Sequence, residues 1–400
     1  MKKILLALFL LSFSVWAEET GRPLYSISAD AGAAAAVPGI TRGMESRFDF
    51  YNRLFRFDTS LLSGPLRVRV FSGQEAYNQY LTERLRNRDI EPEAMYLHYD
   101  QIEQRELVIN LESYAKTSML AYQAFVQYFR AFIANPPAWM LEGFAIFFSG
   151  LRVDDSGVAN YEENLNWLVP VKSLGDKLPS PNAIFLADPA GTFPAGIFPA
   201  RKLPAGKTAP IDFGEFQISS WALVSFLLNS EGDYFRTLTD SFMLLSPSAG
   251  AEENSLAVTK RFSAWNDFDA MDREFRDYLA SRKTFREFME DGHRAYSQGS
   301  LMNAELSFTS AMDLRPSDYA PYYYLGLIFY ERNNYDMAEQ FYLAGLERGA
   351  DAALLNYALG INAASAGRTQ KATEYLYKAA ALDPAKYRPR VEDVLKRIWR

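Results

Sequence analysis

The C-terminal quarter of the chain is one 34-residue pattern that occurs three times without a gap. The copies read FREFMEDGHRAYSQGSLMNAELSFTSAMDLRPSD (285–318), YAPYYYLGLIFYERNNYDMAEQFYLAGLERGADA (319–352) and ALLNYALGINAASAGRTQKATEYLYKAAALDPAK (353–386). Four series of mostly small residues keep this spacing. They are Gly292, Gly326 and Gly360; Ala304, Ala338 and Ala372; Ala311, Gly345 and Ala379; and Pro316, Ala350 and Pro384. Because small residues let helices approach closely, the pattern predicts stacked helical hairpins.

Gly at position 8, Ala at 20 and 27 and Pro at 32 resemble the tetratricopeptide repeat. The resemblance implies an all-α solenoid over residues 285–384. A capping helix over residues 385–400, opened by Pro389, is expected to cover its exposed end. Units of this kind usually hold peptides or partner proteins and do not usually carry out chemistry.

In tetratricopeptide repeats, positions 2, 5, 9 and 12 of each first helix line the concave groove. Carried over to this chain, they imply a partner-binding groove of eight main residues. These are Met289, His293, Tyr296, Tyr323, Leu327, Tyr330, Tyr357 and Ile361. The surface has few charges, so we expect a hydrophobic or aromatic peptide, or packing against the N-terminal domain. The alternative is that these residues contact only neighbouring helices.

The start of the chain predicts export. Lys2 and Lys3 precede an apolar stretch, and Val15 and Ala17 are small residues suited to a cleavage site, so residues 1–17 are expected to be a signal peptide. We therefore expect a periplasmic protein, with secretion as the alternative and no stable membrane insertion after cleavage. The chain has no cysteine and a formal charge of −7. These features exclude disulfides and a lipid-modified cysteine, and they argue against a nucleic-acid partner.

The remaining N-terminal region predicts an α+β domain. After a flexible lead-in (18–45), strands are expected at 66–71, 95–98 and 106–111, with helices at 74–88, 113–133 and 139–148. Residues 150–215 are rich in Pro and Gly, which predicts a long insertion. Further helices are expected at 219–228, 233–245 and 267–281.

The segment Pro137-Ala-Trp-Met-Leu-Glu-Gly-Phe-Ala145 resembles the P-x-W-x-x-E-G-x-A motif of gluzincin metallopeptidases, particularly the peptidase-MA-like families. With the order of elements around it, the resemblance covers residues 46–283. In that family the preceding helix carries His-Glu-x-x-His, which binds zinc and activates water. Glu142 matches the third zinc ligand.

The zinc-binding histidines are missing. The window 118–128 contains no His, Glu or Asp, and the only histidines, His98 and His293, lie in different elements. The sequence therefore predicts a degenerate domain with no metal, no cofactor and no catalytic residue. For Glu142 two roles stay open: a structural hydrogen-bonding role, with Tyr122 or Gln123 as partner, or a polar contact in a ligand cleft.

These features predict an exported protein-binding scaffold in the cell envelope, in which a pseudo-peptidase domain is joined to a tetratricopeptide module. The alternative is an active hydrolase, a peptidase or a peptidoglycan-acting enzyme, with a site that the sequence does not reveal.

Overall fold

The computed structural model describes residues 23–85, 93–113, 118–187 and 212–399. The chain divides into two compact units between Arg282 and Lys283. The predicted signal peptide (1–17) lies outside the described residues. Among the helices that are described, none is both long enough and apolar enough to cross a membrane.

The first unit contains a small mixed sheet, as the sequence predicts. Its strands are β1 (Tyr25–Ala29), β2 (Leu66–Phe71), β3 (Ala94–Leu97) and β4 (Glu106–Asn110). Their order is β1-β2-β4-β3, with β1, β2 and β4 parallel and β3 antiparallel at one edge. In β2 the valines Val68 and Val70 are buried while Arg67 and Arg69 point away from the core, which explains the alternation in the sequence.

Helices pack around this sheet and on one another. Those of the first unit are α1 (Val37–Phe55), α2 (Gln74–Leu85), α3 (Met119–Phe132), α4 (Ala138–Phe148), α5 (Leu168–Leu174), α6 (Pro181–Phe185), α7 (Phe213–Asn229), α8 (Tyr234–Phe242), α9 (Ala251–Trp265) and α10 (Phe268–Ser281). A short hairpin, β5 (Leu151–Val153) and β6 (Ala159–Tyr161), follows α4. All residues of α4 from Trp139 to Phe148 are buried.

The flexible lead-in predicted for residues 18–45 is wrong over its described part. Residues 25–29 form an edge strand that pairs with β2, and α1 begins at Val37. The run of Ala and Gly at 31–36 lacks the periodicity of a helix, so it does not reveal that α1 follows it directly. Tertiary packing stabilises the segment, because Met44 and Phe48 of α1 are buried in the core.

The insertion predicted for residues 150–215 is partly structured. The described residues up to 187 include β5, β6, α5 and α6, and residues 188–211 lie outside the described part. Pro181 is the first residue of α6, a position where the backbone N–H that proline lacks would have no hydrogen-bond partner within the helix. Helix α9 was missed altogether, because Asn254 and Ser255 share its buried face with Val258 and Phe262 and so weaken the apolar period.

The second unit is a stack of helical hairpins in 34-residue register. Its helices are α11 (Phe285–Ser297), α12 (Leu301–Leu314), α13 (Tyr319–Glu331), α14 (Tyr335–Glu347), α15 (Ala352–Ser365), α16 (Thr369–Leu382) and α17 (Pro384–Ile398). The first helix of each hairpin, and α17, start on a side-chain cap. The caps are Thr284, Asp318, Asp351 and Asp383.

The repeated glycines have the role that the sequence predicts. A Cβ atom added at Gly292, Gly326 or Gly360 would lie 2.6, 2.4 or 2.7 Å from an atom of the side chain at position 24 of the same repeat. These partners are themselves 34 residues apart: Phe308, Tyr342 and Leu376. The repeated alanines Ala304, Ala338 and Ala372 are fully buried. The region is thus a tetratricopeptide-like helical repeat.

The last helix begins earlier than predicted. Helix α17 starts at Pro384 with Asp383 as its N-cap, and Pro389 lies inside it instead of opening it. Tyr387 and Val391 bury one face of α17 against the third repeat, while most of its charged residues are exposed.

Candidate functional site

Glu142 lies at a junction of three helices in the first unit. It projects from α4 and is only 4% exposed. Tyr122 of α3 donates its hydroxyl to Glu142 Oε2 over 2.5 Å. Gln217 of α7 donates its amide to the same oxygen over 3.0 Å. One carboxylate oxygen therefore links two consecutive helices, α3 and α4, to α7, which lies far from them in sequence.

Of the two partners predicted for Glu142, the structure selects Tyr122. Gln123 turns to the sheet, where its Oε1 accepts the backbone N–H of Tyr96 on β3 over 3.0 Å. The sequence did not identify Gln217. In the sequence, Gln217 stands out only as an amide side chain between two apolar residues of α7, Phe216 and Ile218.

Close packing of α4 against α7 places the junction. A Cβ atom on Gly143 would lie 2.5 Å from the backbone oxygen of Ser220 and 2.7 Å from Val224, so only glycine fits between these helices. Trp139, one turn earlier, is fully buried, and its ring centroid lies 5.0 Å from that of Phe185. The Trp, Glu and Gly of the motif thus each have a packing role.

Burial controls the electrostatics here. Desolvation raises the pKa of Glu142, while the hydrogen bonds from Tyr122 and Gln217 and the positive charge of Arg130 lower it less strongly. The pKa of Tyr122 is raised well above its usual value, first by burial and then by the Glu142 charge.

His98 follows β3 and shares the neighbourhood of Arg130. Burial, Arg130 and Arg105 together lower the pKa of His98 to about 3. Its Nδ1 lies 3.5 Å from the hydroxyl of Tyr96. His98 is therefore neutral at physiological pH, and two guanidinium groups supply positive charge around it.

These residues do not fit a zinc ion. Both donors at Glu142 Oε2 point hydrogens at the oxygen that a metal would need, and Arg130 adds a positive charge that opposes a cation. Across the described ranges, no three His, Cys, Asp or Glu side chains lie close enough to hold a metal ion.

The eight residues predicted for the repeat groove differ in exposure. Met289 is buried (8% exposed) and His293 is exposed, with its ring centroid 4.4 Å from that of Tyr324. The other six are half-buried, each packed on a core cluster with part of the side chain open. They are Tyr296, Tyr323, Leu327, Tyr330, Tyr357 and Ile361.

Two of these tyrosines connect successive repeats. The hydroxyl of Tyr296 donates to Glu331, and that of Tyr330 lies 3.0 Å from Ser365 Oγ. Both pairs are 35 residues apart, so they join position 12 of one first helix to position 13 of the next. Their rings line the surface while their hydroxyls hold the repeats together.

A further series, at position 21 of each repeat, was not found in the sequence. Glu305 accepts from Arg332, Glu339 accepts from Arg368 over 2.9 Å, and Thr373 Oγ1 accepts the indole N–H of Trp399 over 3.3 Å. Each acceptor lies on a second helix and each donor comes from the element that follows. The donors do not share one repeat position, so the 34-residue period does not reveal them.

No family model matches the chain, and no curated protein matches it. Among solved structures, a type III secretion chaperone of Yersinia enterocolitica, SycD, determined in complex with a peptide of the translocator YopD, is similar to part of the chain. The match has 20% sequence identity and a TM-score of 0.28, and it covers 30% of this chain and 95% of the chaperone chain.

Proposed function

We propose that this chain is a protein-binding scaffold whose helical repeats hold a peptide segment of a partner on the face of their first helices. The main support for this proposal is the nearly uncharged, apolar composition of helices α13 and α15. Their 13 and 14 residues contain one charged side chain, Glu331, and five of the half-buried groove side chains follow one another along the two helices: Tyr323, Leu327, Tyr330, Tyr357 and Ile361.

An open apolar face of this kind favours a partner with apolar or aromatic side chains. Half-buried tyrosines have most of their conformational freedom already fixed, so binding costs little further entropy. Tyr323 and Leu327 pack on the cluster around Tyr342, and Tyr357 packs against Tyr387 with ring centroids 5.1 Å apart. The surface is therefore preorganised by the core beneath it.

The proposal is tested with the full chain and a displayed peptide library, followed by affinity measurement on the enriched peptides. The variant Tyr323→Ala/Tyr357→Ala is expected to weaken binding at least about tenfold, since interface aromatics contribute most of the energy. Tyr377→Ala is the matched control, because Tyr377 is 60% exposed on a second helix.

Circular dichroism of both variants shows whether the fold is kept. Equal affinity of the two variants, with the fold intact, would place binding elsewhere and contradict the proposal. Failure of the library to enrich any apolar or aromatic peptide would also count against it.

We further propose that the first unit is a non-catalytic peptidase-like domain and that the chain is exported. Support for the domain is the motif around Glu142 together with the donor set described above. Support for export is the sequence of residues 1–17. N-terminal sequencing of periplasmic protein is expected to give Glu18 as the first residue, and an uncleaved Met1 in that fraction would contradict the cleavage.

A further inference from the structure

We propose that Tyr122, Glu142 and Gln217 form a hydrogen-bonded junction that joins α3, α4 and α7 in place of a metal ion, so that the first unit folds without any metal. This inference concerns the first unit alone and is independent of peptide binding by the repeats. Each helix contributes one side chain, and all three meet at Glu142 Oε2.

The geometry is that of a cross-link. The two donors are 20 and 75 residues from Glu142 in sequence, so each bond closes a long loop. A metal ion bound by side chains of the same helices would connect them in the same way, but it would require deprotonated ligands. Here a phenol and an amide take that position, and both are hydrogen-bond donors.

The cost of disturbing the junction follows from its burial. Glu142 is 4% exposed, and the helix around it is held at the closest approach that Gly143 permits. Loss of one donor leaves a buried carboxylate with fewer partners, which costs more than the bond itself contributes. Loss of the carboxylate together with the donor leaves no unpaired charge, so the two changes must be strongly non-additive.

The first test is metal dependence of the full wild-type chain. Native mass spectrometry with added zinc is expected to show no complex of one zinc per chain. The melting temperature, followed by tryptophan fluorescence to which the fully buried Trp139 and Trp221 of the first unit contribute, is expected to be the same with zinc as with a chelator. One bound zinc that is lost in Glu142→Gln would overturn the proposal.

The second test is a double-mutant cycle on the same fluorescence signal. Tyr122→Phe is expected to lower the melting temperature of the first unit by about 3–6 °C. In a Glu142→Met background the same substitution is expected to have almost no effect. The matched control is Tyr77→Phe, since Tyr77 is fully buried and its hydroxyl has no hydrogen-bond partner among the described residues.

If Tyr122→Phe shifts the melting temperature equally in the wild-type and Glu142→Met backgrounds, the proposed junction is wrong, because the hydroxyl would then act through packing alone. If Tyr77→Phe lowers the melting temperature as much as Tyr122→Phe does, the loss of any buried hydroxyl explains the result and the proposal fails. The conservative substitutions keep the shape of each side chain, and the zinc measurement on the wild-type chain stands without them.

Discussion

At the scale of single residues, Glu142 makes the stability of the first unit depend on pH. Desolvation raises its pKa above the usual value of 4.5, so the folded state holds the proton more tightly than the unfolded state does. The stability that this proton supplies is fully present below 4.5 and is lost as the pH rises through the raised pKa.

The substitution Glu142→Gln removes this ionisation. We expect the stability of the variant relative to wild type to increase as the pH rises from acid to neutral. Urea unfolding at several pH values, followed by tryptophan fluorescence, measures the difference. Parallel curves for the two proteins would show that Glu142 has the same pKa in both states.

A substitution at Gly326 tests whether α13 and α14 lie at their closest approach within the second repeat. A Cβ atom there would lie 2.4 Å from the ring of Tyr342, which is only 1% exposed. Gly326→Ala is therefore expected to destabilise the second unit by about 2 kcal/mol. Hydrogen exchange of peptides from α13 and α14 localises the effect.

The control for Gly326 is Gly39→Ala, because nothing lies within 4 Å of a Cβ atom at Gly39. Alanine favours a helix over glycine by up to about 1 kcal/mol, so this variant is expected to be neutral or more stable. If Gly326→Ala is equally harmless, the helices are not at their closest approach.

At the scale of elements, charged pairs connect one repeat to the next. Glu339 on α14 accepts from Arg368 and from Lys371, and its side chain is 12% exposed. Glu339→Gln is expected to lower the free energy of unfolding of the second unit by about 0.5–1 kcal/mol. Since both cations are partly exposed, the loss is expected to shrink at high salt.

Denaturant unfolding at low and high salt measures this effect. Glu290→Gln is a suitable comparison, since Glu290 is paired with Arg286 within one helix and both are well exposed. A loss for Glu339→Gln no larger than for Glu290→Gln would show that the pairs between repeats add nothing.

At the scale of the whole molecule, the second unit has the parts needed to fold alone. Its hydrophobic clusters are built from its own residues, and α17 covers the end of the third repeat with a largely charged outer surface. Residues 283–400 expressed alone are therefore expected to be helical and to unfold cooperatively.

Circular dichroism with thermal unfolding tests that expectation. Hydrogen exchange of the same fragment, compared with the full chain, shows whether the repeats keep their protection. A fragment that is largely unstructured would mean that the repeats depend on residues before Lys283.

The sequence was informative where a pattern repeats or alternates. The 34-residue register predicted the repeat helices, and the alternation of Leu66–Phe71 predicted a strand. It was less informative where polar residues are buried, as with Asn254 on α9, or where small residues carry no period, as before α1. In the candidate site, Glu142 and Tyr122 were predicted from a motif and a helix window, but Gln217 was not.

The sequence by itself determined the repeat register, the α+β character of the first unit and the absence of His, Glu and Asp from residues 118–128, because each is a matter of residue type at fixed positions. Only the tertiary structure decided that Gln217 joins Tyr122 at Glu142, that Gln123 bonds to the sheet, and that Arg332 and Arg368 reach back to the preceding repeat. These contacts join residues 27 to 75 positions apart. No local pattern encodes them, because their partners are chosen by how whole helices pack.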